Sequence, residues 1–263
     1  MSPIPRIVHQ IWVGTNPLPV YHKYYRESFD KYLPGFGYKL WRSKDVTPEN
    51  FPYLFDFILQ AEAKKRWAQM ADLMRLEIVY HHGGYYFDMT FELTRNLTGL
   101  FRQTRARFVG CNEVDQPVNY LSNSFFGAVP KHPPILLLIQ QVPDIDFDDK
   151  RINYMTGPFF LYKLIVKSAR SSVRIWPAHY FYPYISWTAD GRRASVDACI
   201  VAQRNRTRRS QSRSNSNKRQ GSRERKIQIP MSGGRAVLYP CTAYPKSYAN
   251  KHWEWGGTWL VKP

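Results

Sequence analysis

A chain of 263 residues, 43% hydrophobic and 16% aromatic, carries enough apolar surface for a sizeable buried core, which excludes a wholly disordered chain. The net charge is +18, and half of it lies between Arg204 and Lys226, where ten Lys and Arg accompany one Glu and no apolar residue. Such a run cannot offset the entropy of ordering, so 204–226 is expected to be a disordered basic insertion in one folded domain spanning 1–263.

Arg6 to Val13, rich in Ile and Val and closed by Gly14, reads as a buried first strand. Tyr38 to Arg42 follows the Pro34-Gly35 turn as a second strand, with a helix between the two. Leu54 to His82 reads as helix in one or two pieces. Met70, Leu73, Leu76 and Tyr80 recur there at three- and four-residue spacing. Gly83-Gly84 would end it, because glycine accepts the left-handed backbone past a last helical turn. Tyr85 to Met89 reads as a short buried strand, 106–114 and 120–129 as further strands, 133–142 and 158–169 as helices, and 173–176 as a last inner strand. The alternation predicts an α/β fold with a mainly parallel central sheet flanked by helices.

The three cysteines, Cys111, Cys199 and Cys241, are odd in number and widely spaced, which argues against a disulfide scaffold and for a reducing compartment. The opening MSPIPRIVHQ lacks a signal-peptide pattern, and the longest apolar run, Ile135 to Ile139, is too short to span a bilayer. A soluble protein without a transmembrane segment is expected, cytoplasmic or in another reducing compartment. The basic run offers peripheral contact with an anionic membrane surface or with nucleic acid, or else is a solvated surface insertion.

The chemistry concentrates in WAQMADLMRLEIVYHHGGYYFDMTFE, from Trp67 to Glu92. Asp72 and Arg75 lie three apart on a helix and share nearly one face, as a surface ion pair or as part of a site. Asp88 ends a strand that follows Gly-Gly, and open α/β sheets bind ligands beyond the carboxyl ends of their strands. An acid there needs a partner, and a metal or a ribose hydroxyl would serve.

This block resembles the glycosyltransferases with a sugar-binding DXD motif, the group of the yeast-type initiating mannosyltransferases and the inositol phosphoceramide mannosyltransferases. Their pattern, A-x-x-x-D-x-x-R then G-G-I-Y-L-D-T-D-x-E, is met here by Ala68, Asp72, Arg75, Gly83, Gly84, Tyr86, Asp88 and Glu92. Ile4 to Trp12, Leu121-Ser122-Asn123, Gly127 to Pro133, Thr156-Gly157-Pro158, Tyr180 to Pro183 and the closing Tyr248-Ala249, His252, Trp253, Thr258 and Trp259 are similar to further segments of the family, in the same order.

The resemblance implies a GT-A-type domain that moves a hexose from GDP-mannose or a UDP-hexose to a glycan or lipid-linked acceptor, with retention. It implies Asp72, Arg75 and Asp88 as catalytic residues, and a donor site of Trp12, Asp72, Arg75, Asp88, Asn123, Thr258 and Trp259. It also implies Mn²⁺ or Mg²⁺ on Asp88 and His252, with Thr90 or Glu92 as further ligands. For Trp12, His252 and Asn123, packing alone is the competing explanation. The family's second DXD acid is Thr90 here, giving Asp-Met-Thr, and a hydroxyl is a weaker ligand than a carboxylate. An active enzyme and a catalytically inactive sugar-nucleotide or glycan binder therefore both stand at this point, beside a basic nucleic-acid-binding protein.

Overall fold

The computed structural model describes residues 3–19, 21–114, 120–146, 155–167, 172–182, 227–231, 234–238 and 249–251. In chain order the elements are β1 (Ile7–Ile11), α1 (Tyr21–Tyr32), β2 (Gly37–Trp41), α2 (Phe55–Ala63), α3 (Trp67–His82), β3 (Gly84–Phe87), β4 (Phe91–Leu93), α4 (Thr98–Arg102), β5 (Phe108–Val114), β6 (Tyr120–Ala128), α5 (Pro133–Ile139), α6 (Pro158–Lys167), β7 (Val173–Trp176), β8 (Ile227–Met231), β9 (Gly234–Leu238) and β10 (Ala249–Lys251).

Six strands form the central sheet in the order β2-β1-β3-β6-β5-β7. The pairings β1 with β2, β1 with β3 and β5 with β7 are parallel, and β6 runs against both of its neighbours. The expected α/β architecture, mostly parallel with flanking helices, is the one observed. Successive side chains of a strand point to opposite faces, and here both faces are covered. On one face Tyr86, Phe108 and Phe126 pack with α2, α3, α5 and α6. On the other, Tyr85, Phe87, Val109 and Phe125 pack with Phe29 and Leu33 and with Phe91 and Leu93. Each fully buried aromatic of this kind contributes about 1.5–3 kcal/mol through the area it removes from water.

The long helical segment is broken into two at Lys64–Arg66, where Lys65 adopts φ of 53°. Glu77 of α3 ties the other end of α2 to α3, its carboxylate accepting the backbone N–H groups of Tyr53 (2.8 Å) and Leu54 (2.9 Å) just before α2 begins. The periodic stripe expected on α3 understates its burial. All residues from Gln69 to Tyr80 are buried, because α3 lies between the sheet and the helices α2 and α5.

Gly83 and Gly84 end α3 with φ of 64° and 87°. At Gly84 a Cβ would come within 2.5 Å of Ile7 Cγ2 and 2.7 Å of the Ile7 carbonyl oxygen. The glycine thus lets β3 enter the sheet beside β1, with its carboxyl end at Asp88.

Three elements, α4, β4 and β10, had no sequence signal. β4 pairs antiparallel with β10 across more than 150 residues of chain, Phe91 facing Lys251 and Glu92 facing Asn250. β8 and β9 pair antiparallel with each other, Ile227 opposite Leu238 and Met231 opposite Gly234. The basic run, 204–226, lies outside the described residues, as do Cys199 and Cys241, while Cys111 is buried, its thiol donating to the Pro177 carbonyl at 3.3 Å. No helix among the described residues is long and apolar enough to cross a membrane.

Candidate active site

α3 positions Asp72 and Arg75 one turn apart, side chains only 7% and 8% exposed, with Arg75 Nη2 3.1 Å from Asp72 Oδ1. They are not a surface pair. Asn123 on β6 donates its side-chain N–H to Asp72 Oδ1 at 2.8 Å, and Thr156 donates its hydroxyl to Oδ2 at 2.9 Å. Arg75 in turn donates to the main-chain oxygens of Asn123 (2.7 Å) and Ala71 (3.2 Å). Its guanidinium lies over the Tyr86 ring, 4.6 Å from the centroid.

Asp88 follows β3 directly, its N–H bonded to the Ser124 carbonyl at 2.8 Å. Because β6 is antiparallel to β3, the early residues of β6 lie beside the carboxyl end of β3, and this register brings Asn123 to the site. Asp88 Oδ1 accepts the Tyr86 hydroxyl at 2.7 Å and lies 3.6 Å from Arg75 Nη1. Unlike Asp72 it is partly open to solvent, 25% exposed. Its backbone is fixed from the other side of β1, where Gln10 donates to the Asp88 carbonyl (3.0 Å) and accepts from the Tyr38 hydroxyl (2.7 Å).

The electrostatics follow from burial and neighbours. Desolvation raises the Asp72 carboxyl to about 6, with the Asp88 charge adding to the rise and Arg75, Thr156 and Asn123 opposing it. Burial alone would lower the Arg75 guanidinium, but Tyr86, Asp72 and Asp88 outweigh it and hold the side chain charged. Burial pushes the Tyr86 phenol well above its ordinary range, so it remains a donor toward Asp88.

Of the sequence-predicted residues, the structure brings together Asp72, Arg75, Asp88 and Asn123. Trp12 follows β1 at the same sheet edge, but the residue is only 4% exposed and its indole N–H donates to the Asn16 carbonyl at 2.9 Å. Glu92 accepts the Tyr24 hydroxyl at 3.1 Å from α1. The Thr90 hydroxyl is buried and has no hydrogen-bond partner among the described residues. His252, Thr258 and Trp259 lie outside the described residues; the last described residue before them, Lys251, pairs with Phe91, the neighbour of Thr90.

Sequence reasoning missed the roles of Tyr86, Gln10 and Thr156. Tyr86 and Thr156 fall within the matching segments, and strand alternation places Tyr86 on the α3 face with Arg75.

A DXD-type site implies a divalent metal. Among the described residues no three His, Cys, Asp or Glu side chains converge on one point. The Asp88 carboxylate and the unpartnered Thr90 hydroxyl are both hard oxygen donors. They fit an Mg²⁺ or Mn²⁺ that draws most of its ligands from substrate phosphates and water, since such ions are held by as few as one or two carboxylates.

The sheet order, the helices on both faces and the acid at the carboxyl end of β3 define a GT-A-type glycosyltransferase fold. A solved structure of similar fold is the PaToxG glycosyltransferase, with a TM-score of 0.53 and 15% identity, covering 63% of this chain and 70% of that one. Residues 19–107, about a third of the chain, match the family described as the glycosyltransferase sugar-binding region containing DXD motif.

Relatives include inositol phosphoceramide mannosyltransferase 2 of Schizosaccharomyces pombe, 31% identical over 142 residues, which are 53% of this chain and 38% of that protein. The mannosyl phosphorylinositol ceramide synthase SUR1 of Saccharomyces cerevisiae is 29% identical over 165 residues, 60% of this chain and 41% of that protein. The match thus spans less than half the length of either relative.

Proposed function

We propose that this chain is a hexosyltransferase that takes a hexose from a nucleotide-sugar donor, GDP-mannose or a UDP-hexose, and passes it with retention to a glycan or lipid-linked acceptor. The observation that carries the reading is the solvent-facing Asp88 at the carboxyl end of β3, held by Tyr86 and flanked by a permanently charged Arg75. The mannosyltransferase relatives support mannose and a lipid-linked acceptor. We take residues 1–263 as one catalytic domain with 204–226 as an insertion.

Breaking a nucleotide-sugar bond develops negative charge on the leaving diphosphate. Arg75 supplies a fixed positive charge in a site that is mostly shielded from water, where such stabilisation counts most. Asp88 reaches the donor ribose, and with Thr90 it would hold a divalent metal, to which His252 adds a ligand. When bound, that metal supplies Lewis-acid stabilisation of the diphosphate. Asp72, kept in place by Asn123 and Thr156, orients Arg75 and meets the hydroxyls of the transferred sugar together with Asn123. Trp12 flanks the base, and Thr258 and Trp259 close over the diphosphate.

The test is transfer and donor hydrolysis with GDP-mannose and UDP-glucose by the wild-type chain and by Asp88→Ala. Loss of turnover in the variant, with its thermal stability kept, is expected; unchanged turnover sinks the assignment. One observation favours a second reading. Thr90 stands where the family has an acid, and a chain that has lost its metal carboxylate would bind sugar nucleotide without turning it over. Thermal shift against UDP- and GDP-sugars with and without Mn²⁺, followed by turnover with the same donors, separates the two.

A further inference from the structure

A cavity of about 660 Å³ opens at the end of the sheet opposite Asp88. Arg6, which lines it, precedes the first residue of β1, whereas Asp88 follows the last residue of the parallel β3. The volume falls in the range of small-molecule sites, roughly 300–1,000 Å³. The floor is an aromatic cluster in which Tyr85 stacks on Phe101 at 4.1 Å, with Phe36 at 5.9 Å and 6.1 Å from the two rings. The rim carries the exposed side chains of Arg6, Arg102 and Arg105, and no acidic residue among the described residues lines the cavity. A second cavity of about 520 Å³ shares Thr104, Arg105 and Ala106 with it and adds Arg174.

The polar groups at this cavity include the Thr98 hydroxyl, which is buried and has no hydrogen-bond partner among the described residues, and the hydroxyl of Tyr85, a residue only 3% exposed. A buried hydroxyl without a partner loses its water without compensation, which a native fold seldom accepts except where a ligand or ordered water completes it. Burial keeps the Tyr85 phenol protonated, with Arg6 opposing that rise, so the group is a donor for an anionic oxygen. Arginines without carboxylate partners among the described residues, phenol and threonine hydroxyls and an apolar floor share one complement: a phosphate attached to an apolar body. Guanidinium groups match phosphate oxygens in pairs.

We propose that this cavity is a second ligand site, distinct from the donor site, which takes an amphiphilic phosphate monoester. Its phosphate sits among Arg6, Arg102, Arg105 and the Tyr85 hydroxyl, and its apolar part lies on Phe36 and Phe101. A membrane phospholipid headgroup and a free phosphorylated metabolite share this chemistry.

The experiment is isothermal titration of the full chain with hexyl phosphate, inorganic phosphate and hexanol. It is repeated on Arg102→Gln/Arg105→Gln and on Tyr85→Phe, which keeps the aromatic ring. Hexyl phosphate is expected to bind at least about tenfold more tightly than inorganic phosphate or hexanol, and to weaken by about tenfold or more in the arginine variant, as loss of charge-assisted bonds implies. Tyr85→Phe weakens it by a smaller factor. Asp88→Ala leaves it unchanged, and GDP does not displace it, which keeps the outcome separate from that of the proposed transferase site.

Flotation with phosphatidylcholine vesicles with and without phosphatidic acid distinguishes the sources. Loss of flotation in the arginine variant assigns the site to a bilayer headgroup, and unchanged flotation with lost hexyl phosphate binding assigns it to a free ligand. Hexyl phosphate binding no tighter than that of inorganic phosphate, binding indifferent to the arginines, or displacement by GDP overturns the proposal.

Discussion

Replacing Thr156 by Val tests whether the buried network around Asp72 is held by charge. Valine keeps the shape of threonine and removes only the hydroxyl that donates to Asp72 Oδ2 at 2.9 Å. A hydrogen bond to a charged group contributes about 1.5–3 kcal/mol, against about 1 kcal/mol for a neutral one. The loss should therefore depend on the ionisation of Asp72. Burial holds that carboxyl at about 6, above its ordinary 3.8, so the folded state binds more protons than the unfolded state between these values. The Asp72 contribution to stability accordingly falls as pH rises from about 4 to about 6 and is level above that. Without the hydroxyl, the folded carboxyl rises by about one unit more, at about 1.4 kcal/mol per unit, and the fall continues to about pH 7. Urea denaturation of the two chains should give a difference of about 1 kcal/mol at pH 5 and about 2–3 kcal/mol at pH 8. Equal differences at the two pH values, or less than about 0.5 kcal/mol at pH 8, would refute the reasoning.

Gly84→Ala places a methyl 2.5 Å from Ile7 Cγ2 at a φ of 87°, so backbone strain and overpacking add. A loss of roughly 3–5 kcal/mol is expected in urea denaturation, and a loss below about 1 kcal/mol would show that β1 and β3 can separate freely. Thr90→Asp restores a carboxylate where a buried hydroxyl now lacks a partner among the described residues. Mn²⁺ affinity measured by calorimetry should rise at least about tenfold, or about 1.4 kcal/mol. No rise would mean that position 90 does not face the metal.

How far the sequence led differs from residue to residue, according to how local the cause is. The i,i+3 spacing of Asp72 and Arg75, the glycine turn and the strand ending at Asp88 are properties of contiguous chain, and they are where expected. What that spacing cannot show is burial. A stripe of Met70, Leu73, Leu76 and Tyr80 describes a helix with one covered face, whereas α3 is covered on all sides, and that is a property of its neighbours. The partners of Asp72 are equally remote: Asn123 lies 51 residues away and Thr156 lies 84. Glu77 likewise accepts N–H groups 23 and 24 residues away, those of Leu54 and Tyr53 before α2. Patterning locates such residues only when the partner element is already placed.

The same distinction bears on Thr90. From the motif alone, the exchange of an acid for a threonine reads as a lost metal ligand. The structure adds that Arg75, which lies beside Asp88, is held by two backbone carbonyls and by Asp72. A charge fixed in this way needs no reorganisation when a diphosphate arrives, so part of the stabilisation a second carboxylate secures through the metal is already built into α3. If that is how the site tolerates Asp-Met-Thr, then Arg75→Lys should cost more than the loss of the metal does. Lysine keeps a positive charge but cannot bond Asp72 and both carbonyls at once. Turnover measured with and without chelator in both chains decides it: a variant impaired only when metal is removed would place the burden on the metal instead.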